Sequence, residues 1–149
     1  MTKESRSKSL KSIFERKGGI GRYTLIFSQM QGMQQQVILQ KVSLTHQEVP
    51  VIGSFRSAND WLLITTDRVI WCEREDLKSI PSSAILSVSP SQFGEVNKQK
   101  MCRLLIRTLD FGDVTLDIEE GPPFFGIWNV LKNFATRNKR KDESGRISS

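Results

Sequence analysis

The chain has 149 residues, a formal net charge of +6, 38% apolar residues and one histidine. That length suits one domain with tails, which buries about 70% of its unfolded surface and needs no disulfide or metal staple. No apolar stretch reaches the ~20 residues of a membrane-spanning helix. The polar, basic N-terminus lacks the apolar region of a signal peptide, so a cytoplasmic chain is expected, peripheral at the inner membrane face where it meets lipid.

The charge is unevenly placed. Residues 1–22 carry a net +5 and residues 132–149 a net +4, which leaves −3 for the middle. The N-terminal cations include Lys8, Lys11, Arg16, Lys17 and Arg22, and the C-terminal ones Lys139, Arg140 and Lys141. Two readings carry equal weight: solvated tails that confer solubility, or contact with an anionic surface, whether lipid, nucleic acid or acidic protein. Cys72 and Cys102 sit beside apolar residues in predicted strands and read as buried, reduced thiols, with a disulfide between neighbouring strands as the alternative. With no CxxC pair and with His46 alone, neither zinc nor another cofactor is expected.

Residues 1–9 have almost nothing to bury and are expected to be disordered. Leu10, Ile13 and Phe14 then fall at i, i+3 and i+4, an apolar stripe on a short basic helix suited to shallow membrane insertion or to packing. Gly18-Gly19-Ile20-Gly21 interrupts it and reads as a hinge; no GK[ST] follows and no strand precedes it. From Tyr23 to Val42, Ile26, Phe27, Met30, Met33, Val37 and Ile38 recur at helical spacing, which predicts an amphipathic helix, with an extra strand as the alternative.

Short strands follow. Val49–Arg56 contains Pro50 and Gly53 and should be irregular or at an edge. Trp61–Thr65 and Arg68–Glu73 flank a polar turn at Thr66-Asp67 and form a hairpin. Leu77–Ile80 ends at Pro81 and Ile85–Val88 ends at Pro90. After a polar loop over 92–100, Met101–Leu109 and Val114–Ile118 pair across Asp110-Phe111-Gly112-Asp113; Val114, Leu116 and Ile118 alternate with water-facing Thr115 and Asp117. A helix begins at Pro122-Pro123, with Phe124, Ile127, Trp128, Leu131, Phe134 and Ala135 on one face. It is expected to cover an open end or face of the sheet, and it ends in cations that complement its dipole.

Seven short strands followed by one helix resemble the pleckstrin-homology (PH-like) superfold. The run Trp61-Leu62-Leu63-Ile64-Thr65-Thr66-Asp67-Arg68-Val69-Ile70-Trp71 is similar to the second-to-third-strand hairpin of bacterial PH-like and GRAM-like domains. Ile80-Pro81 leading to Ile85 is similar to the segment that follows it there. The resemblance implies an α+β fold: a seven-stranded antiparallel sandwich or barrel capped by a C-terminal helix, here with an N-terminal helical extension. The resemblance covers about residues 45–140 and has no counterpart for 1–44; with composition and spacing the chain divides into a basic flexible segment (1–22), a helical extension (23–44), the PH-like domain (45–141) and a tail (142–149). The resemblance also implies a non-enzymatic module that binds anionic lipid or protein. The Lys-x(n)-[Lys/Arg]-x-Arg pattern of lipid-binding members is absent around Arg56, so specific phosphoinositide recognition at the usual pocket is not implied.

No nucleophile elbow, phosphate-binding loop or paired metal ligands stand in the sequence. In the acidic run Asp110, Asp113, Asp117, Glu119 and Glu120, Asp110 and Asp113 read as turn formers and Asp117 as a solvent-facing strand residue, with a paired-carboxylate hydrolase as the alternative; Arg68 reads as a local ion pair in the turn or a stem over Trp61 or Trp71. The leading expectation is a PH-like module that meets an anionic membrane surface through its basic ends. A protein-interaction or homodimer module comes second. Nucleic-acid binding comes third, because no aromatic residues interleave with the cations. An enzyme comes last.

Overall fold

Trp61–Trp71 reads as nearly continuous apolar sequence because both faces of its sheet are covered. The computed structural model describes residues 2–92 and 101–147, with side chains through 91 and from 102 to 141. In chain order the elements are α1 (Lys3–Lys17), β1 (Thr24–Ile26), α2 (Gly32–Lys41), β2 (Pro50–Ser57), β3 (Asp60–Thr65), β4 (Arg68–Glu73), β5 (Asp76–Pro81), β6 (Ile85–Gln92), β7 (Met101–Thr108), β8 (Asp113–Glu119) and α3 (Pro122–Ile147). Strands β1 to β5 form one antiparallel sheet in sequence order, and β6 to β8 a second. The seven predicted strands are β2 to β8, and β1 adds one at the outer edge of the first sheet.

Within the central hairpin, Leu62 pairs with Trp71 and Ile64 with Val69, and these four face the core between the sheets. Trp61 pairs with Cys72 and Leu63 with Ile70, and these face outward into a second cluster closed by Phe27, Met30, Ile38 and Val42. A strand buried on both faces loses the alternation of a half-exposed one. On β8, Leu116 and Ile118 are buried while Thr115 and Asp117 are exposed, as the alternation predicts. Cys72 and Cys102 are free thiols on separate sheets.

The N-terminal region departs from expectation. Residues 3–9 are helical and not disordered. The Thr2 side chain accepts the Ser5 N–H and caps α1, and Leu10 and Phe14 are fully buried against the rest of the core. This tertiary contact stabilises a turn whose own composition is too polar to fold alone. Gly18 is a close-packing position more than a hinge: a Cβ there would collide with the Pro122 carbonyl and the Gly126 backbone.

Residues 23–42 are not one helix. Thr24–Ile26 pairs with Ser54–Ile52, Phe27–Gln29 makes a single 3₁₀ turn, and the helix begins only at Gly32. Ile26 enters the inter-sheet core, whereas Phe27, Met30 and Ile38 enter the outer cluster. The helical spacing arose from three elements in series. Gly53 lets Met30 lie flat on the sheet, because a side chain there would meet the Met30 sulfur.

β6 runs through Pro90 to Gln92, with a register shift between Pro90 and Gln92. It is an edge strand, where a residue without an N–H is tolerated. The predicted loop lies, from residue 93 on, outside the described residues. α3 seals the inter-sheet core with Phe124, Ile127, Val130, Leu131 and Phe134, and continues past Lys141 into the expected tail. Each such burial stabilises the fold by about 1.5–3 kcal/mol as an upper bound. Trp128 Nε1 donates to the Val88 carbonyl (3.2 Å), and Asn138 Nδ2 donates to the Ser82 and Ile85 carbonyls (2.8 and 2.9 Å), so α3 also covers backbone acceptors on β6 and on the turn before it.

Candidate functional site

Helix periodicity brings the two basic ends of the chain together. On α1 the buried stripe of Leu10 and Phe14 extends one turn toward the N-terminus to Arg6 and then Lys3. On α3 the stripe through Phe134 continues to Arg137, Asn138 and Lys141. The helices run antiparallel: Gly18 abuts Pro122 and Gly126, while Arg6 lies over the Phe134 ring at 5.3 Å. Lys3, Arg6, Arg137 and Lys141 therefore line one cleft of ≈ 210 Å³. Its far wall is the β3–β4 turn (Thr66, Asp67) and the turn after β5 (Ser82, Ser83).

Among the described residues, Asp67 is the one carboxylate lining this cleft, beside Lys3, Arg6, Arg137 and Lys141. Asp67 Oδ2 accepts from Lys3 Nζ at 2.7 Å and from Thr45 Oγ1 at 3.3 Å, and Asp67 Oδ1 accepts from Thr66 Oγ1 at 2.9 Å. Lys3 Nζ also donates to the His46 carbonyl at 3.3 Å. Burial, and then the neighbouring charge of Arg137, lower the Arg6 pKa to about 10. Positive charge is thus concentrated where water is partly excluded.

Of the basic residues singled out by sequence, Lys141 lines the cleft. Lys8, Arg16, Lys17, Arg22, Lys139 and Arg140 are exposed, and Lys11 is half-buried. Arg16 Nε donates to the Ser12 carbonyl (3.3 Å), and Arg22 stacks over Tyr23 at 5.2 Å. Of the apolar stripe, Leu10 and Phe14 are packed inside and Ile13 is half-buried against the same core, so packing is the role they occupy. Lys3, Arg6 and the hydroxyls of Thr66, Ser82 and Ser83 were missed. Arg6 stands four residues before Leu10, and that spacing is the signal that could have found it.

A second cleft of ≈ 170 Å³ lies near Arg56, and its electrostatics differ. Arg56 faces Asp60 at 3.7 Å and Arg103 binds Asp117 at 2.9 Å, with Glu73 beside them. Its carboxylates outnumber its cations, which disfavours an anionic ligand. Asp117, read as solvent-facing, is thereby also an ion-pair partner. The Glu119 carboxylate accepts from the Arg22 and Tyr23 N–H groups (2.7 and 2.9 Å) and from Thr24 Oγ1 (2.9 Å).

Beneath the cationic cleft lies a buried polar network. Arg68 pairs not with Asp67 but with Glu48, through Nε (2.9 Å) and Nη2 (2.8 Å). Glu48 also accepts from Thr65 Oγ1 and from the Thr45 N–H (2.9 Å), and Arg68 Nη2 reaches the Ser43 carbonyl (3.0 Å). Burial alone would raise the Glu48 carboxyl, but the hydrogen bonds from Arg68, Thr65 and Thr45 and the Arg68 charge outweigh it and hold the pKa at about 2. This network ties residues 43–48 to the hairpin and fixes the turn that carries Asp67. Among the described residues no cluster of His, Cys, Asp and Glu could hold a metal ion, and no helix is long and apolar enough to cross a membrane.

No family model matches the chain, and no curated protein matches it. Its fold is similar to two crystal structures. One is a DUF1696 family protein with a pleckstrin-homology domain from Shewanella loihica PV-4, with a TM-score of 0.53 and 15% identity over 77% of this chain and 99% of that one. The other is a pleckstrin-homology domain from Shewanella amazonensis SB2B, with a TM-score of 0.52 and 16% identity over 72% of this chain and 90% of that one. Two antiparallel sheets closed by a C-terminal helix, with these neighbours, give the chain the fold of a bacterial pleckstrin-homology-like domain.

Proposed function

We infer that this chain is a non-enzymatic binding module that docks on an anionic membrane surface through the paired helices α1 and α3. The observation that carries this reading is the antiparallel packing of α1 on α3, which makes one basic layer from the two ends of the chain. The helix α1 alone holds six cations against Glu4 and Glu15. Each Lys or Arg near an anionic leaflet contributes about 1 kcal/mol. Lys8, Lys11, Arg16, Lys17 and Arg22 supply this attraction at one end, and Lys139, Arg140 and Lys141 at the other. Leu10 and Phe14 are committed to the core, so attachment is electrostatic and weakens with salt.

The test is co-sedimentation with phosphatidylglycerol-containing and with neutral phosphatidylcholine vesicles. Binding to the first only is expected, and it should fall in the triple variant Lys8→Gln, Lys11→Gln, Arg16→Gln. Equal binding to both vesicles, or to neither, overturns the reading. A protein-interaction or homodimer module is the second reading, favoured by Met33, 71% exposed on α2 away from the basic layer, with Leu39 also exposed. It requires a dimer or complex that persists at high salt.

A further inference from the structure

The cleft between the start of α1 and the end of α3 has more structure than a diffuse basic patch requires. We propose that it is a pocket for one phosphomonoester group, with Arg6, Lys3 and Lys141 on one side and the hydroxyls of Ser82 and Ser83 on the other. This deepens the reading of the α1–α3 layer as an anion-docking face, and rests on it.

Three observations select the ligand chemistry. The first is charge. Among the described residues, Lys3, Arg6 and Lys141 line a cleft of ≈ 210 Å³ that holds one carboxylate, Asp67, so its charge is positive even with Arg137 left out of the balance. A phosphomonoester carries about −1.5 to −2 at neutral pH and offers three acceptor oxygens, so it balances that excess better than a single carboxylate or a phosphodiester. The second is the donor set, which combines a guanidinium, ammonium groups and hydroxyls on separate walls. That arrangement suits a tetrahedral oxyanion approached from several sides. The third is the aromatic wall. Phe134 is only 3% exposed and is covered by the Arg6 guanidinium, so a nucleobase has no face to stack on. The burial that lowers the Arg6 pKa would be offset by a bound dianion.

Asp67 is the internal competitor. It holds Lys3 at 2.7 Å and presents a negative charge to any incoming anion. A ligand must draw Lys3 away from it or bind beside it. Removing that charge should therefore tighten binding, which an undifferentiated loss of structure cannot imitate.

The experiment is a titration of the full-length chain with inorganic phosphate, at constant ionic strength in chloride, followed by amide chemical shifts. Saturable shifts are expected at Arg6, Thr66, Ser82 and Ser83. Arg6→Met keeps the apolar stem over Phe134 and should weaken binding by about tenfold or more. Asp67→Asn should tighten it, and Lys41→Gln, on the far face, should leave it unchanged. Absence of saturable shifts overturns the proposal, as does an Asp67→Asn variant that binds no more tightly than the parent. Vesicles then separate the sources. A preference for phosphatidate over phosphatidylglycerol at matched surface charge, lost in Arg6→Met, assigns the pocket to a lipid headgroup. No such preference, with phosphate still saturating, assigns it to a soluble phosphomonoester. Failure to bind phosphatidylglycerol vesicles overturns the membrane-docking reading alone, while a flat phosphate titration overturns the pocket alone.

Discussion

Replacing Phe14 by alanine should detach α1 without unfolding the sheets. The Leu10 and Phe14 side chains have no exposed surface, and together they dominate the apolar contact of α1 with the rest of the core. Burying two such residues stabilises the docked helix by about 3–6 kcal/mol as an upper bound. Truncating a buried Phe to Ala costs about 3–5 kcal/mol, which is comparable to the whole of that. A free helix of 15 residues is marginal in water, so the undocked segment should melt and carry Arg6 away from Phe134. Hydrogen exchange reads this directly. Amides of residues 6–17 should exchange about a hundredfold faster in Phe14→Ala, while β3 and β4 keep their protection. Unchanged protection of α1 would refute the reasoning. So would loss of protection in α1, β3 and β4 together, which would make α1 inseparable from the sandwich.

The Glu48–Arg68 pair should give the chain a specific acid sensitivity. Its carboxyl sits at about 2 against 4.5 in the unfolded chain, so its stabilisation is complete above pH 4.5 and is lost as pH falls toward 2. Linkage sets an upper limit of about 3.5 kcal/mol; Arg68 is 27% exposed, and solvent screening brings this to about 1–2 kcal/mol. Urea midpoints between pH 2 and 6 should show a component in the parent that is missing in Glu48→Gln; identical slopes would contradict it. Gly126→Ala should destabilise the chain, because the new methyl would stand 2.5 Å from Phe14 Cδ2 and 3.0 Å from the Phe14 carbonyl. Overpacking of about 1–3 kcal/mol outweighs the ~1 kcal/mol gain in helix propensity. Gly32→Ala meets no atom within 4 Å and should raise the thermal midpoint slightly instead.

The elements legible in the sequence are those whose stabilising partners are close in the chain. The hairpin of β3 and β4, the alternation of Leu116 and Ile118, and the apolar face of α3 each follow from spacing within a dozen residues. The first turns of α1 were illegible because their partner, α3, lies more than a hundred residues away. Residues 23–42 misled because a strand, a 3₁₀ turn and a helix in series placed apolar residues at intervals that imitate one helix. Pro90 was read as a terminator because its edge position, which excuses the missing N–H, is a property of the sheet. The same limit applies to the site. Basic ends are visible as composition, but the meeting of Lys3 and Arg6 with Lys141, and of Glu48 with Arg68, depends on tertiary contacts that the polar residues do not encode locally.

The reading that two chain ends make one docking face is tested most directly by paramagnetic broadening of amide signals on anionic bicelles carrying a headgroup spin label. The expected pattern is broadening of Lys8, Lys11, Arg16 and Lys17 on α1 together with Lys139, Arg140 and Lys141 on α3, with Met33 on α2 and the turn after Arg56 unaffected. Broadening centred on Arg56–Asn59 or on α2, or on only one of the two basic ends, would contradict it.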